Sequence, residues 1–103
     1  MPRSECGVHE DTIDNLVDRL YQSDQFSFIE THREYHTKRY DGEFDIYAKG
    51  KDGKDYYFEI KCSYHKRALQ RALNQFYRAK KAFPRNDWVF TLVTPTLEKR
   101  ITL

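Results

Sequence analysis

The sequence predicts a small α/β fold: a mixed sheet flanked by helices, with elements in the order αβββαβ. Three observations lead there. Residues 9–21 and 64–83 carry apolar side chains at helical spacing. Three segments between them, and one after, are built from β-branched and aromatic residues typical of strands. The second helix separates the third strand from the fourth, so it forms a crossover that places a parallel pair in the sheet. With 103 residues, the chain reads as one domain, residues 1–103, with a single modest core.

The first helix comes from "HEDTIDNLVDRLYQ", where Ile13, Leu16, Val17 and Leu20 share a face. Acids crowd its first turn, where the helix dipole favours them. "SDQ" is a turn, and "FSFIETHREYH" is a strand with one wet face. "TKRYDG" is a loop. "EFDIYAK" and "DYYFEIKCS" are the clearest strands, joined by "GKDGKD" with hairpin chemistry at Asp52-Gly53. In the second helix Leu69, Ala72, Leu73, Phe76 and Phe83 form the expected apolar stripe, and Pro84 stops it. "DWVFTLVTP" is apolar enough for a central strand, and "TLEKRITL" is an edge strand or a packed tail.

Composition narrows the class. The chain is 33% charged and 39% hydrophobic, and its 16% aromatic content argues for a packed core over disorder. A net charge of +2 leaves room for a basic face beside an acidic one. No apolar run approaches the length of a membrane span, and "MPRSECGVHED" lacks the apolar segment of a secretory signal. The two cysteines, Cys6 and Cys62, have no metal spacing. Cys62 lies in an apolar strand pattern and is expected as a buried free thiol, which fits a reducing, cytoplasmic setting.

Three charges break the strand patterns. Asp45 interrupts "EFDIYA", and Glu59 and Lys61 interrupt "YFEIKC". Residues two apart share a strand face, so Glu59 and Lys61 point with Tyr57, while Phe58, Ile60 and Cys62 make the core face. Phe44 and Ile46 are core-like, which sends Asp45 to the opposite face with Glu43 and Tyr47. A hairpin closed at Asp52-Gly53 sets Asp45 opposite position 60, within one residue of both Glu59 and Lys61. Adjacent carboxylates repel unless a cation lies between them. All-oxygen ligands suit Mg2+ or Mn2+, and a neighbouring lysine can steady a phosphate oxygen or a water. Such a set is equipment for metal-assisted phosphodiester hydrolysis.

The run from Asp45 through "YFEIKC" resembles the core of the PD-(D/E)xK nuclease superfamily, and the predicted element order matches its restriction-endonuclease-like αβββαβ core. The resemblance spans about residues 7 to 94. The proline of the nominal motif is absent, at a position that is loose in the superfamily. The resemblance implies that Asp45 and Glu59 bind the metal with the main-chain carbonyl of Ile60, and that Lys61 positions the attacking water. Many members place a metal-binding Glu on the first helix, and Glu10 fits, three residues before Ile13. "NQFYRAKKAF" is similar to the helix of RecB-like and Cas4-like branches, with Gln75 as the matching glutamine.

Nucleic-acid contacts are expected where bases and aromatics interleave. "HREYHTKRY" offers Arg33, Lys38 and Arg39 just before Asp45, and His36 and His65 are further phosphate-contact candidates. Arg67, Arg71, Arg78 and Lys81 line the outer face of the second helix, which otherwise reads as a solvated surface. The expected activity is a Mg2+- or Mn2+-dependent deoxyribonuclease acting on DNA ends or single strands in repair, replication or mobile-element DNA. A small chain would gain binding surface as a homodimer. The alternatives are a structure-specific Holliday-junction endonuclease, as in archaeal junction-resolving relatives, and a non-catalytic nucleic-acid-binding or protein-interaction module on the same fold.

Overall fold

The computed structural model describes residues 9–103. Its elements are α1 (His9–Ser23), β1 (Phe26–His36), β2 (Asp41–Gly50), β3 (Asp55–Ile60), α2 (Lys66–Ala82), β4 (Trp88–Thr94) and β5 (Leu97–Ile101). The strands form one sheet in the order β1-β2-β3-β4-β5. β3 and β4 run parallel, and every other neighbouring pair is antiparallel. The expected α/β class and element order are present, and the tail is an edge strand.

Each helix has its own core. Ile13, Leu16 and Leu20 of α1 pack on Ile46, Ala48, Phe58, Ile60 and Val93. Ala72, Phe76 and Ala79 of α2 pack on Phe44, Tyr57, Phe90 and Leu92. The small alanines bring α2 close to the sheet, so Phe76 is fully buried and stacks on Phe90 at 4.8 Å between ring centroids. The buried stripe of α2 is Ala68, Ala72, Phe76 and Ala79. It is rotated from the expected one, with Leu69 and Leu73 only half-buried. Wide, rigid aromatics on the sheet are what select small residues on the helix.

The β2–β3 turn places Gly53 in the left-handed region at φ 87°, a conformation glycine tolerates at little cost. Asp52 Oδ1 accepts the Lys54 amide at 3.0 Å inside the same turn. Pairing runs from Lys49↔Asp55 to Ile46↔Phe58, one residue away from the expected register. Continued, it sets Asp45 opposite Glu59 rather than Ile60.

A second departure lies at the level of Asp45. Strict alternation would put Phe44 and Ile46 on one face. Instead Phe44 packs on the α2 side and Ile46 on the α1 side. β1 does the same, with Ile29 on the α1 side and Tyr35 on the α2 side. His32 lies between them at φ 52°. Thr31↔Ile46 and Arg33↔Phe44 put His32 across from Asp45. One left-handed residue reverses the facing of everything beyond it, and period-two reading cannot anticipate that.

Cys62 corrects another expectation. It lies in the bend after β3, half-buried, and it is disulfide-bonded rather than a free thiol. The thiol argument for a reducing compartment therefore falls away. No described helix is long and apolar enough to cross a membrane.

Candidate active site

The ends of β3 and β4 and the starts of α1 and α2 meet at one end of the sheet. β2 and β3 separate there, since their pairing stops at Ile46↔Phe58. Asp45 fills the fork. Its Oδ2 accepts the Ile60 amide at 2.8 Å, a bond the missing ladder would otherwise have made. Burial raises the Asp45 pKa, against the lowering effects of that amide, His9, Lys61 and His32.

Glu59 lies on β3 with 2% of its surface exposed. Tyr57 Oη is 2.6 Å from its Oε1, and Lys61 Nζ is 3.4 Å from its Oε2. Burial, then the charge of Asp45, pushes the Glu59 carboxyl up to about 8, against the pull of Lys61 and Tyr57. Asp45, Glu59 and Lys61 thus form one electrostatic cluster, in which each ionisation depends on the others. Lys61 is largely buried, and its own amide donates to Val93 at 2.9 Å, which fixes where the side chain starts.

The α1 residue nearest this cluster is His9. Its Nε2 is 3.3 Å from the Ile60 carbonyl oxygen and 3.8 Å from Asp45 Oδ2. Glu10, the residue expected from the sequence, is turned outward. Its carboxylate meets His32 Nε2 at 3.1 Å and His9 Nδ1 at 3.4 Å. The His32 hydrogen bond leads in lowering its pKa. His32 also lies 3.2 Å from Glu43. Burial lowers the His32 pKa, but Glu10 and Glu43 together outweigh it and raise the imidazole overall. His32, Glu43 and Asp45 each offer one ligand atom within 4.8 Å of the others. Imidazole beside two carboxylates widens the metal range from Mg2+ toward Mn2+ and heavier ions.

The other expected residues are spread more widely. Gln75 lies on the sheet side of α2, between Ala72 and Ala79, and its Oε1 is buried with no hydrogen-bond partner among the described residues. Leaving such an oxygen unpaired costs on the order of 1–3 kcal/mol. Lys38 and Arg39 are exposed in the β1–β2 turn, on a hairpin whose Tyr35 meets Phe83 and whose Phe44 meets Trp88. Arg33 is held by Glu30 at 3.1 Å and lies 5.2 Å from the centre of the Tyr47 ring. His65 caps α2, its Nδ1 accepting the Ala68 amide at 3.3 Å.

Glu43 and Tyr57 were not anticipated as site residues, the sequence offers His9 only as a candidate catalytic base, and it offers His32 as a phosphate contact rather than as a partner of Glu10 and Glu43. His9 did leave a signal, because it precedes Ile13 by four residues and so lies on the buried stripe itself. Comparison with protein-family models, curated proteins and solved structures returns no match.

Proposed function

We propose that this protein is a Mg2+- or Mn2+-dependent deoxyribonuclease of the PD-(D/E)xK kind, built on a restriction-endonuclease-like core. What supports the reading is the meeting of Asp45, Glu59 and Lys61 at the fork between β2 and β3, beside the Ile60 carbonyl. Two carboxylates whose pKa values are raised by burial are a poor anionic pair by themselves. A divalent cation would relieve that cost, so the donor set fits one. Asp45, Glu59 and the Ile60 carbonyl would hold it, with His9 as a nitrogen ligand and Glu10 acting at most through His9 or His32. The ion would supply Lewis-acid activation of a water and of the scissile phosphate.

The remaining roles belong to the chain. Lys61 offers a cationic donor beside Glu59, where a phosphate oxygen or the attacking water would lie. Tyr57, whose pKa is raised well above its usual value mainly by burial, stays protonated and fixes the Glu59 rotamer. Gln75 would spend its orphaned oxygen on an ordered water of the site. The favoured substrates are DNA ends and single-stranded DNA.

The test combines binding with cleavage. Mn2+ at a hundred times its Kd should add about 2.7 kcal/mol to the unfolding free energy. Asp45→Asn should abolish that shift and, with Lys61→Ala, lower cleavage about a hundredfold or more. The panel should hold linear duplex, single strand, closed circle, four-way junction and RNA. Symmetric junction cuts would favour a Holliday-junction endonuclease. No cleavage and no metal stabilisation would return the chain to a non-catalytic module.

A further inference from the structure

The two helices carry opposite charge. α1 holds Glu10, Asp11, Asp14 and Asp18 against a single Arg19. α2 holds six cations, Lys66, Arg67, Arg71, Arg78, Lys80 and Lys81, and no acid. Two of those six occupy its first turn, where the helix dipole disfavours positive charge. Among the described residues, none of the six has a carboxylate within 4.0 Å, which holds also for Lys38, Arg39, Lys54, Arg85, Lys99 and Arg100; what sets α2 apart is that its six cations share one helix with no acid. Like charges at helical spacing repel, so the sequence bears a local cost here that neighbouring acids do not offset.

Arg67, Arg71, Arg78 and Lys81 follow one exposed stripe along the helix. Tyr77 stands beside that stripe with 47% of its surface exposed, outside both cores. α2 extends about 25 Å at 1.5 Å per residue. Its start follows Lys61 by five residues. Farther along, Arg78 Nη1 reaches the Asp41 carbonyl at 3.4 Å, which joins the stripe to the hairpin bearing Lys38 and Arg39.

We propose that the outward face of α2 is the surface on which this protein holds single-stranded nucleic acid, with phosphates on the arginine–lysine stripe and a base stacked on Tyr77. Cations interleaved with an exposed aromatic ring are the equipment for strands without sequence readout. The acidic face of α1 confines the strand to this side. The proposal rests on the nuclease reading only for its direction, since the stripe leads back toward Lys61.

The experiment is fluorescence anisotropy with a labelled twenty-nucleotide oligothymidylate in EDTA, across a salt series. Four phosphate contacts predict a log–log salt slope near −2.8. Arg71→Ser with Lys81→Ser should reduce the slope by about 1.4. Tyr77→Ala should weaken binding about tenfold with little change in slope. Lys54→Ser, an exposed cation of the β2–β3 turn that belongs neither to the stripe nor to the reaction centre, should bind like the parent. Parental affinity in both the Tyr77 and the double variant would overturn the proposal even if cleavage is confirmed. Equal affinity for a duplex of the same length, or preference for anionic vesicles or an acidic peptide, would also overturn it.

Discussion

At the scale of the residue, Glu59 gives the sharpest test. Its folded pKa of about 8 lies above the ordinary glutamate value, because burial and Asp45 disfavour the anion. Between those two values the native state holds a proton that the unfolded chain has lost. The metal-free protein should therefore lose stability as pH rises from about 5 to 8, the reverse of a salt-bridged carboxylate. Thermal unfolding in EDTA across that range checks it, and Glu59→Gln should flatten the dependence and raise the melting temperature at pH 8. Metal reverses the sign, since it must displace the same proton and so binds more tightly at higher pH. His9 and Glu10 separate in the same way. His9→Gln should weaken Mn2+ binding roughly tenfold, and Glu10→Gln, whose carboxylate is turned to His32, should do so less. A calorimetric titration with the order reversed would return the ligand role to Glu10. The sequence displayed Asp45, Glu59 and Lys61 because each is a charge in an apolar run. It marked His9 only weakly, by its place four residues before Ile13 on the apolar stripe, because a histidine at a helix start otherwise breaks no pattern. It hid His32 because a single left-handed residue inside a strand leaves no mark in periodicity.

At the scale of the element, order and type were legible while register and facing were not. Helices announced themselves through Ile13, Leu16 and Leu20, and through Ala72 and Phe76. The crossover between β3 and β4 followed from topology alone. Register depends on how many residues the β2–β3 turn uses, and Gly53 with its Asp52 bond settles that locally. Facing depends on His32. On the α2 side, Phe76 is fully buried in one cluster with Ala72, Ala79, Tyr57 and Phe90. Phe76→Ala should cost about 3–5 kcal/mol, because the alanines around it cannot collapse into the space. Chemical denaturation of the metal-free protein measures it. His65→Ala should cost only about 0.5–2 kcal/mol through the lost cap. A His65 variant that keeps its stability while losing oligonucleotide affinity would instead make the imidazole a phosphate contact.

At the scale of the whole molecule, the open question is how one small sheet presents two edges. β1 is an edge interrupted by an irregular pairing between Phe26 and Phe28 and by the left-handed His32. Both features make it a poor template for another strand. β5 is shorter and regular, with Glu98, Lys99 and Arg100 exposed along it. Two copies of β5 paired antiparallel about Lys99 would set Glu98 of each against Arg100 of the other. The self-complementary pairs would offset the repulsion of the two lysines. The homodimer expected from chain length would form there as one continuous sheet and place two reaction centres in a single particle. Sedimentation at tens of micromolar should then give about twice the 12.5 kDa chain mass. Arg100→Glu should shift the protein to the single-chain mass and leave the far-ultraviolet spectrum unchanged, since Arg100 lies outside both cores. A parent chain that sediments as a monomer with full cleavage activity would mean that one fork and one basic helix suffice. Four-way junctions would then be the least suitable of its substrates, because symmetric cutting needs two centres.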